Sequence, residues 1–288
     1  MFLGWEPTAK WSLLLWPLTR LIARRRLKRI VKSASAGTIF YCQSLTEKLI
    51  LPRLTKEQAV FLEHKIPGRW LKLNPLRFRY LKFAKKIKVI TVSEFAKQAW
   101  TKFGVPEQNI EVRYPIPIHN PPQSPLKVRG EEKRGLDSAP PLKIRGGREE
   151  LFTIGILGRL DPEKGVMDFL NSILHVLKTH SDWKVLIAGE GKDEQAIKKL
   201  AEKNYLTDKI QPLGLIYNLD EFFSQISVLA YPSKVPEAFG MAAAEAISRG
   251  IPVVASNIGA LPEIIKHGEN GFLINHNSEW IDSLEKTA

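Results

Sequence analysis

The chain has 288 residues, 44% hydrophobic and 25% charged, with one cysteine, Cys42; this excludes collagenous, disordered and disulfide-stapled proteins and leaves room for two modest domains. The formal charge of +13 is uneven: residues 1–120 hold 23 Lys/Arg against 7 Asp/Glu, residues 121–150 hold 7 against 5, and residues 151–288 hold 13 against 18. The first part is built to face a polyanionic surface and the last to do different work.

At the N-terminus, Trp11, Leu14, Leu15, Leu18, Leu21 and Ile22 recur at helical spacing and run into Arg24, Arg25, Arg26, Lys28, Arg29 and Lys32. Cations that follow the apolar stretch, with Ser33-Ala34-Ser35-Ala36 behind them, do not make a secretory signal. Two readings stand for residues 11–32: a helix lying on an anionic membrane surface, or an amphipathic helix packed on its own domain, its stripe broken by Pro17. No helix-turn-helix, zinc-finger spacing or RNP-type motif supports nucleic acid as the partner. No apolar run reaches the roughly 20 residues of a membrane span, and the lone cysteine fits a reducing compartment, so the expected place is the cytoplasm, peripherally at the inner face of the membrane.

Short strands are expected at Gly37 to Cys42, Ala59 to Glu63 and Lys88 to Val92. Each precedes a helix-compatible segment, the last opening at Ser93 as N-cap and closing at Gly104. Alternating strands and helices argue for a parallel sheet. His64 directly follows a strand, where open α/β sheets place ligand-binding residues, and is a candidate acceptor contact or a structural histidine.

Residues 120–150 contain five prolines and four glycines and read as a linker or insertion between domains 1–119 and 151–288. Within it Pro125-Leu126-Lys127-Val128-Arg129-Gly130 recurs as Pro141-Leu142-Lys143-Ile144-Arg145-Gly146, two copies being too few for a repeat architecture.

From Leu151 a Rossmann-like succession is expected: a strand to Leu157, a turn from Gly158 to Gly165, a helix to about Thr179, strands at Trp183 to Ala188, Ile210 to Leu213, Val228 to Tyr231 and Pro252 to Ser256, with a helix from Gly240 to Arg249. Gly158 lets backbone approach closely, and Arg159 and Lys164, five apart, suit convergence on one diphosphate. Glu237 precedes a helix and Glu245 lies eight residues on; Gly240 and Met241 present N–H groups at the positive end of the helix dipole. Carboxylates accept from vicinal hydroxyls, which suits Glu245 to a ribose and Glu237 to a sugar ring. The bland alternatives are a solvated surface turn and helix-start charges.

Taken in order, Gly158 to Gly165, Gly189-Glu190-Gly191, Pro232-Ser233, Glu237 and Glu245, Gly250 to Ala255 and Asn270 to Leu273 resemble the GT-B-fold retaining glycosyltransferases of family four, the glycosyl transferases group 1. The resemblance covers Thr153 to Ile274 and extends, less sharply, to Val89 to Phe95. It implies an α/β fold of two Rossmann-like domains and a metal-independent, cofactor-free transfer, with retention, from a nucleotide-diphosphate sugar to a lipid or glycan acceptor. It also implies that Arg159 and Lys164 bind the diphosphate as leaving group, Glu237 the transferred sugar and Glu245 the ribose, with Phe239, Gly240 and Met241 packed around the sugar. No histidine pair has metal-ligand spacing, which agrees. Where the family opens on a strand and a Gly-rich loop, this chain has the Trp/Leu/Arg segment, and only 17 residues follow Gly271. The N-terminal domain therefore reads as incomplete and the chain as a truncated product. The alternatives are a nucleotide-sugar-binding module impaired in catalysis and a nucleotide-sugar epimerase of the same fold.

Overall fold

The computed structural model describes residues 16–55, 58–115 and 151–288, without the side chains of 16–18, 69 and 70. Residues 11–15 of the N-terminal stripe, the 120–150 segment and its repeated hexapeptide lie outside the described residues. Two compact units emerge, one ending at Pro115 and the other at Ala288.

The first unit opens with α1 (Trp16–Ser33). Pro17 stands in its first turn, where a missing N–H costs no intrahelical bond, so it starts the helix and does not break it. Ala23 and Leu27 are buried, while Leu21 and Ile22 of the expected stripe are 56% and 51% exposed. Small and apolar residues four apart thus make the packed face of the described helix, and the arginines and lysines from Arg24 to Lys32 face water. There follow β1 (Phe40–Cys42), α2 (Leu45–Ile50), α3 (Pro52–Thr55), β2 (Ala59–Glu63), α4 (Arg69–Leu73), α5 (Arg77–Ala84), β3 (Val89–Thr91), α6 (Glu94–Phe103) and β4 (Ile110–Val112). The sheet is parallel throughout, in the order β1-β2-β3-β4. Ser44 caps α2 reciprocally with Glu47. Ser93 caps α6, which ends at Gly104 with φ 113°. β4 is a fourth strand, too short at three residues to show a period of two.

The second unit carries β5 (Phe152–Leu157), α7 (Val166–Thr179), β6 (Trp183–Ala188), α8 (Glu194–Lys203), β7 (Ile210–Gly214), α9 (Leu219–Ser224), β8 (Val228–Tyr231), α10 (Met241–Ser248), β9 (Val253–Ser256), α11 (Leu261–Ile264), β10 (Gly271–Ile274) and α12 (Trp280–Glu285). Its six strands lie in the order β10-β9-β8-β5-β6-β7, all parallel. The near-continuous apolar runs of β5 and β6 follow from burial on both faces. Chain direction across the sheet reverses between β5, which continues to β6, and β8 on its other side. A crevice opens beyond the C-terminal ends of strands at such a switch point.

Candidate functional site

Residues from the ends of β5 and β8 line a small cavity of about 110 Å³ at this switch point, among them Gly158, Arg159, Lys164, Tyr231 and Ser233. The turn after β5 is a one-turn helix, Pro162–Lys164, closed by Gly165 at φ 69°. A side chain at Gly165 would stand 2.0 Å from the Pro232 carbonyl oxygen, so glycine is what lets the β5 turn and the β8 loop approach. That approach brings Lys164 to Glu237, Nζ to Oε1 at 2.6 Å, with the side chains 21% and 17% exposed. Ser233, itself buried, donates from Oγ to the same Oε1 at 2.9 Å. The Tyr231 hydroxyl also hydrogen-bonds the Glu237 carboxylate; burial first, and that carboxylate's charge second, push the phenol well above its ordinary pKa. The backbone under Glu237 is fixed by the Ala260 N–H donating to its carbonyl at 3.0 Å. Gly259 lies so close that a Cβ there would meet Glu237 N at 2.5 Å.

Arg159 and Lys164 line the same cavity but point to different partners. Arg159 is 63% exposed and donates to Asp161 and, at 2.7 Å, to Glu163. Its pKa is raised first by the Glu163 hydrogen bond. α10 begins at Gly240, φ 100°, with no side chain capping it, so its first N–H groups point out of the helix unclaimed by any cap. Met241 is 46% exposed at that end. Phe239, which precedes the start of α10, has its ring buried, 4% exposed. Glu245 lies on α10 half-buried, and its carboxylate has no hydrogen-bond or ion-pair partner among the described residues. An anion entering the cavity meets the two cations that line it, Arg159 and Lys164.

In the first unit, His64 follows β2 and lines a cavity of about 490 Å³ with Gln43, Lys48, Glu63 and Trp100. Burial, and then the charge of Lys48, lower the imidazole pKa. Beneath it Lys48 Nζ is 2.9 Å from Glu63 Oε1, and the buried Tyr80 hydroxyl donates to that oxygen at 2.8 Å.

Tyr231 and Ser233 are members of the second-unit cluster that motif reading left without a role. Pro232-Ser233 was visible at a strand end, but nothing local indicated a hydrogen bond to Glu237. Among the described residues no group of three or more His, Cys, Asp and Glu comes together to hold a metal. No helix among them is long and apolar enough to cross a membrane.

A model of the family described as glycosyl transferases group 1 matches residues 142–287. An uncharacterized glycosyltransferase of Methanocaldococcus jannaschii is 31% identical over 68% of this chain and 48% of its own length. The lipopolysaccharide core biosynthesis mannosyltransferase LpsB of Rhizobium meliloti is 30% identical over 42% of this chain and 36% of its own. The chain thus spans less than half the length of these two relatives. Among solved structures, Anabaena HepE in complex with UDP superposes with a TM-score of 0.68 at 20% identity, covering 94% of this chain and 73% of that one. A Rickettsia africae glycosyltransferase gives 0.68 at 20%, covering 93% and 72%. The likeness is one of fold, two parallel α/β units of the GT-B kind.

Proposed function

From the premise that this chain belongs to the glycosyl transferases group 1, we propose that its second unit binds a nucleotide-diphosphate sugar and that the protein transfers the sugar, with retention and without a metal, to a lipid or glycan acceptor. The observation that carries this reading is the Lys164–Glu237 pair at 2.6 Å, set in the crevice before the uncapped start of α10. As the bond from the anomeric carbon to the diphosphate oxygen breaks, negative charge grows on the leaving group. Lys164, a reoriented Arg159 and the α10 N–H groups carry that charge. Glu237, relieved of Lys164 by the diphosphate, accepts from the sugar's hydroxyls, and Glu245, whose carboxylate has no partner among the described residues, accepts from the ribose diol. The backbone at Phe239 and Gly240 and the exposed Met241 flank the sugar, while Gly158 keeps the β5 end open to the diphosphate. The acceptor hydroxyl attacks from the face the diphosphate leaves, passing its proton to a departing phosphate oxygen, so the anomeric configuration is kept. His64 contacts the acceptor in the first unit's cavity. The outward face of α1, where Leu21 and Ile22 stand beside six cations, meets an anionic membrane surface.

The test is a thermal-shift panel of UDP-, GDP- and ADP-sugars in a chelating buffer. One nucleotide class at about 100 times its dissociation constant should stabilise the fold by roughly 2.7 kcal/mol, and Glu245→Ala should cut that to about half. No response to any of the three would overturn the proposal, and binding without transfer to any acceptor would leave a donor-binding module.

A further inference from the structure

We propose that Arg20, Arg53 and Arg79, brought together from three helices of the first unit, form a binding site for a phosphate group. The inference stands independently of the donor reading.

Arg79 and Phe83 are one turn apart on the same face of α5. The Arg53 guanidinium, from α3, lies over the Phe83 ring at 5.7 Å, on the helix face that also carries Arg79. Arg20 comes from α1, which packs on α3. The three are close enough that, after burial, the charges of Arg20 and Arg53 lower the Arg79 pKa. None has a carboxylate partner among the described residues. The carboxylates described in this unit are engaged elsewhere: Glu47 on the α2 cap, Glu63 on Lys48 and Tyr80, Glu94 and Glu107 on Lys97, and Glu111 on Lys88 and Arg113.

A second observation is independent of charge. Arg79 Nε is buried without a hydrogen-bond partner, the one such side-chain atom among the described residues. A buried donor that has given up water without gaining an acceptor is costly and uncommon. Three guanidinium forks that repel one another and one orphaned N–H have a common remedy: a compact anion with several acceptor oxygens. Phosphate has the geometry that a guanidinium fork matches, and its charge relieves the repulsion. The phosphate belongs either to a free inorganic or small-molecule phosphate or to a lipid headgroup.

The experiment titrates inorganic phosphate against chloride at matched ionic strength, following thermal unfolding of the full chain. Arg79→Gln and Arg53→Gln should each weaken apparent phosphate affinity about tenfold or more, the loss of a charge-assisted contact. The same loss is expected when each is placed on Lys164→Ala, which removes phosphate bound in the second unit from the reading. Arg53 lies on the surface of its helix, so its variant keeps the test intact if Arg79→Gln folds poorly. Phosphate stabilisation equal in wild type and both variants, or absent beyond chloride, would overturn the site. Co-sedimentation with phosphatidylglycerol and phosphatidylcholine vesicles separates the sources. Variants that lose phosphate affinity and binding to phosphatidylglycerol assign a headgroup; variants that lose only the former assign a free phosphate.

Discussion

In the first unit Lys48 lies 2.9 Å from Glu63 with the pair 6% and 9% exposed, and in the second Lys164 lies 2.6 Å from Glu237 with the pair 21% and 17% exposed. Each carboxylate also takes a hydroxyl donor, Tyr80 in one case and Ser233 in the other. The chemistry is nearly the same and the access to water is not. The pair at the end of β2, almost wholly withdrawn from water, cannot exchange partners without leaving an uncompensated buried charge, so it holds its fold together. In the proposed function the crevice pair parts, its lysine going to the incoming diphosphate and its carboxylate to a sugar hydroxyl. Degree of burial, more than residue type, separates the structural ion pair from the proposed ligand site.

The comparison breaks first at stability. Lys48→Ala leaves the Glu63 carboxylate buried without its cation and should cost about 3–5 kcal/mol, whereas Lys164→Ala, with water at hand, should change stability by no more than about 1 kcal/mol; urea unfolding of both variants measures the gap. Turnover should invert the order. Glu237→Gln removes a charged acceptor from the sugar and is expected to slow transfer by about 10–100-fold, roughly 1.5–3 kcal/mol, read in steady-state kinetics with the donor named by the thermal-shift panel. Glu245→Ala, one contact to the ribose, should weaken donor binding about tenfold, near 1.4 kcal/mol, seen by calorimetric titration.

The last effect is confined to alkaline pH. Burial pushes the Cys42 thiol from its ordinary 9.0 up to about 12. The folded state therefore holds its proton more tightly than the unfolded chain does, and the resulting stability is complete below pH 9 and lost as pH rises toward about 12. Cys42→Ala should flatten that alkaline slope in unfolding measurements across the window.

Much of the second unit was legible because its punctuation is local. Gly165, Gly240 and Gly250 close or open helices at positive φ, and the strands they follow are apolar throughout. The first unit was harder to read: β4 is three residues long, and the face on which α1 packs is set by Ala23 and Leu27 where the larger Leu21 and Ile22 drew the eye. At the candidate site, Lys164, Glu237 and Glu245 stood out by their order along the chain. The meeting of Lys164 with Glu237 across 73 residues did not, nor did the hydroxyls of Tyr231 and Ser233 on that carboxylate. The burial of the Phe239 ring was equally silent in the sequence, since a motif names a position and only the fold decides which of its atoms are accessible.

The most direct measurement is calorimetric titration of the nucleoside diphosphate chosen by the thermal-shift panel into wild type and Lys164→Ala. If the crevice pair opens to receive a diphosphate, affinity should fall about 10–100-fold on losing the lysine, in line with a charge-assisted contact of roughly 1.5–3 kcal/mol. Equal affinity in the two proteins would contradict the account and make Lys164–Glu237 another structural pair, alike in role to Lys48–Glu63.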